Sequence, residues 1–289
     1  MKKLLLASVL SVIWLFPALG QLESKIDTNT VVYSWTLDHT LANKIRVDVD
    51  TLLEQFQVYN PVFTLYTSPQ TLGNYGQPAQ SMVFTKRPAD DEFLLINNFH
   101  PYMMRYGNTQ FINSRKPFSR LTYINGGSNN TKEEQLDAFH SQNLTKTLNF
   151  GIHFRTVGSL GQYQFQRVKS NSFNFFSSLS SRYYSYHVSV NYNKITADEN
   201  GGILGDSLVT DSVFTRTKEI PTLFSGTESS LTHNPDVQHQ IRNLNILAVQ
   251  ELALRSRPGR RDTLTNPRKI RVFYPKLVYI FTLNRTQRR

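Results

Sequence analysis

The side chains best equipped for chemistry in this sequence are its seven histidines and its few carboxylate clusters. Neither set has the spacing that a reaction or a metal needs. His233 and His239 stand six apart, without the ligand spacing of a zinc site. Asp90-Asp91-Glu92 and Asp198-Glu199-Asn200 offer oxygens to calcium but lack EF-hand order, and read as solvated turns. The chain has no cysteine, which removes thiolate nucleophiles, disulfides and Cys-based zinc sites. It also lacks GxSxG, Walker A and HExxH patterns and the dinucleotide glycine fingerprint. The expectation is no enzyme, no cofactor and no metal.

Two histidines remain, His153 and His187, and their surroundings say more than they do. Residues 182–193 read RYYSYHVSVNYN. Tyr184, Tyr186, Val188, Val190 and Tyr192 alternate with Ser185, His187, Ser189 and Asn191. A period of two means a strand with two unlike faces. Residues 146–157 behave alike: Leu148, Phe150, Ile152 and Phe154 alternate with Asn149, Gly151, His153 and Arg155. At 170–180, Phe173, Phe175 and Leu179 share one face and Ser172, Asn174 and Ser178 the other, with Phe176-Ser177 interrupting the pattern. A fainter alternation runs through Leu136, Ala138 and Leu144, and Leu277, Tyr279, Phe281 and Leu283 mark a last strand. Residues 241–255 fit either a strand or a helix.

Alternation does not say which solvent each face meets. The N-terminus helps. Met1-Lys2-Lys3, the apolar run Leu4 to Phe16, then Pro17 and Ala18-Leu19-Gly20 read as an export signal cleaved after Gly20. The run holds 13 residues, short of the roughly 20 that span a bilayer as a helix. An exported chain without spanning helices can still cross a membrane as a closed barrel. The 32 Lys and Arg against 21 Asp and Glu would suit nucleic acid in the cytosol, but the export signal argues against that partner. The basic residues read instead as polar-face, loop and headgroup-facing positions, with a preference for anions as a second reading.

The connections between strands alternate short (144–147), long (158–169), short (180–182) and long (194–236). Tight turns at one rim and long loops at the other are the asymmetry of outer-membrane barrels. Segments of about 11 residues match the roughly 9 to 11 that a tilted strand needs to cross hydrocarbon. Arg155 shares the face of Asn149 and His153; an arginine facing lipid at mid-depth costs roughly 2–4 kcal/mol, so that face points inward. The candidate lumen-lining residues are therefore Asn149, His153, Arg155, Ser185, His187, Ser189 and Asn191. The two histidines serve there as hydrogen-bonding groups or as a constriction.

Residues 21–120 differ in texture from the alternating segments. Thr51 and Glu54 form a capping-box pattern for a helix at 51–59 that Pro61 ends, and many Pro, Gly and Asn residues come after it. The expected division is a signal at 1–20, a turn-rich and plug-like segment at 21–120, and antiparallel barrel strands with long external loops at 121–289.

Several stretches resemble the putative porin family of Gram-negative outer membranes. They are Leu72-Gly73-Asn74 with Gly76 and Pro78, Asn113 to Tyr123, and Gly126-Gly127-Ser128 before Lys132-Glu133-Glu134. Leu148-Asn149-Phe150-Gly151, Arg182-Tyr183 and Glu199-Asn200-Gly201-Gly202 come next in order, so the resemblance runs from about 33 to 288. It implies an all-β fold, an antiparallel transmembrane β-barrel in the cell outer membrane that passes small solutes by diffusion. Its partners would be outer-membrane lipid, solutes in transit and a second copy in a homo-oligomer. About six barrel-type strands lie beyond residue 130, fewer than the roughly eight of the smallest barrels; the barrel is expected to be incomplete here and the reading frame to continue past Arg289. The alternative is a secreted or periplasmic β-rich binding or scaffold protein without a channel.

Overall fold

A computed structural model describes residues 33–47, 49, 58–87, 94–114, 116–181, 183–210, 213–224, 226–228, 233–253 and 276–288. The expected signal at 1–20, most of the helix expected at 51–59, Asp90-Asp91-Glu92, Arg182 and the basic stretch 255–271 lie outside them.

The N-terminal segment is built from short pieces. Strands β1 (Tyr33–Leu37) and β2 (Lys44–Val47) form a hairpin, β3 (Pro69–Thr71) pairs with β4 (Ala79–Ser81), and β5 (Phe111–Asn113) returns to pair with β1. Between them lie 3-10 turns at Phe84–Lys86, Leu94–Tyr102 and Tyr106–Asn108. Pro61 opens a short helix, Pro61–Leu65, capped by Asn60 Oδ1, which accepts the Val62 N–H at 3.0 Å. Proline suits that position because its missing donor would find no helical partner there and its ring pre-sets φ.

From Phe118 onward the chain forms one antiparallel sheet. In chain order its strands are β6 (Phe118–Gly126), β7 (Glu133–Asn143), β8 (Leu148–Ser159), β9 (Val168–Ser180) and β10 (Tyr184–Asp198). A small hairpin, β11 (Gly226–Glu228) with β12 (His233–Pro235), stands inside the next loop. Then β13 (Gln238–Ala253) and β14 (Lys276–Arg288) complete the sheet. Its order is β14-β13-β10-β9-β8-β7-β6, with neighbours in the sheet following one another along the chain apart from the inserted hairpin. Among the described residues β6 and β14 do not pair with each other, so the sheet is open.

The register settles two readings. Residues 241–253 are strand, because β10 and β14 both pair with them along nearly their full length; cross-strand pairing outweighs the local helical preference. The alternation of β9 does not break at Phe176-Ser177. Phe176 points to the buried face and Ser177 to the other, in unbroken register with β8 and β10. A large aromatic on a polar face fits because Gly151 lies directly opposite, where an added Cβ would come 2.2 Å from Phe176 Cζ. Loops 127–132, 160–167 and 199–237 leave the sheet at one rim and turns 144–147 and 181–183 at the other, as the alternation of short and long connections predicts.

Candidate functional site

Register places all seven residues singled out from the sequence on one face, in successive rows across the strands. Ser185 stands opposite Glu251 and Ser180. His187 stands opposite Ser178, which stands opposite Asn149. Ser189 faces Phe176, and the next row runs His153, Asn174, Asn191, Asn245, Asn284. The row after it runs Arg155, Ser172, Asn193, Asn243, Thr286. A period of two brings polar residues from five strands onto a single surface.

That surface is hydrogen-bonded and dry. Asn174 Nδ2 donates to Asn191 Oδ1 at 2.7 Å and to Ser189 Oγ at 2.9 Å. Asn243 Nδ2 donates to Asn284 Oδ1 at 2.8 Å, and Asn245 Nδ2 to Asn243 Oδ1 at 2.9 Å. Ser185, His187, Ser189, Asn191 and Asn193 are all fully buried. What covers them is the N-terminal segment. Thr109 Oγ1 lies 2.7 Å from Ser189 Oγ, Ser172 Oγ donates to the Tyr102 carbonyl at 3.2 Å, and Asn143 Nδ2 donates to Asn113 Oδ1 at 2.7 Å. Trp35, Leu37, Phe111 and Ile112 from β1 and β5 form one apolar cluster with Phe139, Phe176, Leu247 and Val249 of the sheet. His187 sits among those rings, its centroid 5.4 Å from Phe111 and 6.1 Å from Trp35, both edge-on. Aromatic surface, not open water, surrounds it.

One carboxylate organises the charged part of the face. Asp137 Oδ2 accepts from Arg155 Nε at 2.8 Å and lies 2.9 Å from His153 Nε2, while Arg120 reaches Oδ1 at 3.5 Å. Burying a charge requires such partners. Beside this group a cavity of about 310 Å³ opens between the sheet and the N-terminal segment. Arg105, Arg120, Arg155, His100 and His153 line it, together with Asn191. Among the described residues no carboxylate lines that cavity, although Asp137 backs two of its arginines. Of the seven sequence candidates, His153, Arg155 and Asn191 line it; Asn149, Ser185, His187 and Ser189 belong to the covered part of the face. Sequence reasoning missed Asp137, Arg120, Asn174, Asn193 and Asn243 as members. Their strand parity was the available signal, since each shares the inward parity of its strand.

The N-terminal segment adds three buried phenols, Tyr66, Tyr75 and Tyr102. Burial pushes the Tyr102 hydroxyl up to about 12 and raises Tyr75 as well. Tyr75 hydrogen bonds to Gln135 of β7 through its hydroxyl. His239 lies in β13 with Nδ1 2.6 Å from Glu199 Oε1 and its ring edge-on to Phe99.

The opposite face of the sheet is apolar and uncovered. Leu121, Tyr123, Ile152, Phe173, Phe175, Tyr184, Tyr192, Leu252, Leu277, Tyr279, Phe281 and Leu283 are all exposed on it. A sheet packed in water buries its apolar face and wets its polar one. Here the arrangement is reversed, which is the wall of a β-barrel of the membrane type. The chain belongs to the family described as "Putative porin", whose model matches residues 31–287. No curated protein and no solved structure matches it. No helix among the described residues is long and apolar enough to cross a membrane, a statement that leaves crossing by strands untouched.

Proposed function

We propose that the chain supplies the wall and an internal plug of a porin-like barrel in the outer membrane, through which small solutes pass by diffusion. One observation carries the reading: the seven-stranded sheet buries its amides on one face and exposes aromatics on the other. In this reading the exposed face meets lipid. Asn149, His153, Arg155, Ser185, His187, Ser189 and Asn191 face the lumen, and residues 33–114 occupy it. The mechanism is passage through a wet bore with no covalent step, selected by the groups that line it. The cavity's arginines, two of which Asp137 backs, favour negatively charged solutes. Passage requires the N-terminal segment to shift, because it covers most of the polar rows. Closing the barrel requires further strands at the open edges of β6 and β14, since roughly eight strands make the smallest barrels.

Membrane partition tests the wall and conductance tests the pore. The full chain should resist carbonate extraction and change its gel mobility on heating. If it washes off as a soluble monomer, the scaffold reading replaces this one. If it inserts but never conducts in a planar bilayer, the barrel stands without the pore.

A further inference from the structure

The outward face is apolar only up to a line. Towards the rim that carries loops 127–132, 160–167 and 199–237, the same outward positions become basic. The last aromatic row runs Tyr192, Phe173, Phe154. In the row beyond it Lys194 stands directly opposite Arg242, and one row further Lys169 stands opposite Thr196. On β14 a cation stands one row lower: Arg285 is opposite Leu244, in the row of Tyr192. Arg167 and Lys132 share the outward parity just past the ends of β9 and β7.

A groove of about 580 Å³ lies in this band, at the rim of β7, β8 and β9. Lys132, Arg167 and Lys169 line it, with Tyr123 and Leu136 on its apolar side. Glu134 is its single carboxylate, and it is paired with Lys132 at 2.8 Å. Asp198, at the end of β10, is buried and accepts a hydrogen bond from Gln238. Cations along the upper edge of an apolar wall match the depth profile of a leaflet whose headgroups are anionic. The groove adds a headgroup-sized recess that is basic above and apolar below.

We propose that this band docks phosphorylated lipid headgroups of the surrounding leaflet, with one phosphate held among Lys132, Arg167 and Lys169 and its acyl chains descending past Leu136 and Tyr123. The proposal rests on the reading of the outward face as lipid-contacting. The occupant is identified by charge complementarity and by the continuity of the groove with the apolar wall. Lys and Arg recognise phosphate through charge-assisted hydrogen bonds, and the neighbouring tyrosine suits the interface.

The test refolds the full chain into phosphatidylcholine vesicles containing a minor fraction of phosphatidic acid. The protein is then extracted in mild detergent, and the two lipids that stay with it are counted. Native protein should retain phosphatidic acid enriched over the vesicle ratio. Lys132→Gln/Arg167→Gln/Lys169→Gln should cut that enrichment roughly fivefold or more. Lys194→Gln/Arg242→Gln, in the same band but outside the groove, should cut it less and serves as the second variant. Heat-shifted gel mobility verifies that each variant is folded. Enrichment that survives the triple substitution in folded protein, or that never exceeds the vesicle ratio, overturns the proposal. Loss of carbonate resistance in native protein overturns the membrane reading beneath it, and so separates the two failures.

Discussion

Asn193 grips Met104 by both edges of its peptide backbone. The Met104 N–H donates to Asn193 Oδ1 at 2.8 Å, and Asn193 Nδ2 donates to the Met104 carbonyl at 2.8 Å. A side-chain amide thus substitutes for a neighbouring strand and fastens a stretch without secondary structure to β10. Asn193→Leu would leave both backbone groups buried without this partner, at about 1–3 kcal/mol for each unsatisfied group. The expected result is faster amide exchange or proteolysis across 94–109, with the sheet's own protection unchanged. Equal protection in the variant would count against this grip as a fastening.

Asp137 holds Arg155, His153 and Arg120 together, so removing its charge leaves cations facing one another. Asp137→Asn should destabilise the fold by about 3 kcal/mol, the low end for breaking a buried ion pair. The low end applies because the Arg155 and Arg120 side chains keep 23% and 34% of their surface in solvent. Denaturant midpoints in detergent measure the loss. In a conducting protein the same change should move the reversal potential further towards anions.

Gly151 is a packing residue. Any Cβ there would meet Phe176 at 2.2 Å and the His140 carbonyl at 2.8 Å. Gly151→Ala should cost about 1–3 kcal/mol through forced movement of the ring. Phe176→Leu in the same chain should recover part of that loss, a coupling that a double-mutant cycle reads directly.

A charge placed on the outward face separates membrane from water. Val188 points outward near mid-strand, opposite Ser177 and Ala248. Val188→Arg should cost roughly 2–4 kcal/mol of insertion stability if that position meets hydrocarbon. In a protein that lives in water the same substitution should leave stability within about 0.5 kcal/mol. Folding yield into vesicles decides between them.

Acid should loosen the β1–β2 hairpin late. Side-chain hydrogen bonds from Asn43 and Thr40 hold the Asp38 carboxyl at about 2, below its ordinary 3.8. A carboxylate depressed by folding stabilises fully above its unfolded value, and that contribution disappears as pH falls through the folded one. The hairpin should therefore keep this contribution above about pH 4 and lose it approaching pH 2. Asp38→Asn should flatten this part of the acid titration, monitored by protease cleavage in the turn.

The strands were legible because each carries a two-residue period, and Arg155 told which parity faces inward. Parity also places Asn174 and Asp137 on that face. It does not reveal that Asp137 meets Arg155 eighteen residues away, because register between strands depends on turn geometry. Phe176 reads as an interruption only if an inward face is uniformly polar. Gly151 and the aromatic cluster of the N-terminal segment make room for a ring there, and that is a long-range fact. Pro61 resembles a stop because proline bounds helices at either end, and Asn60 ahead of it was the cue for a start. The N-terminal segment was the least legible part, since its short strands take their order from the surface they cover.

The seam between that segment and the wall has two textures. Around Tyr102, Met104 and Thr109 it consists of hydrogen bonds to Ser172, Asn193 and Ser189. Around β1 and β5 it is the oily patch of Trp35, Phe111, Phe139 and Phe176. Water can replace the first set bond for bond at little net cost, whereas wetting the second exposes apolar area with nothing to compensate. Hydration would therefore unzip the seam from its amide end while the aromatic end stays tethered. A segment held this way would pivot on its aromatic end, and cooling, which weakens apolar association, would ease that end first.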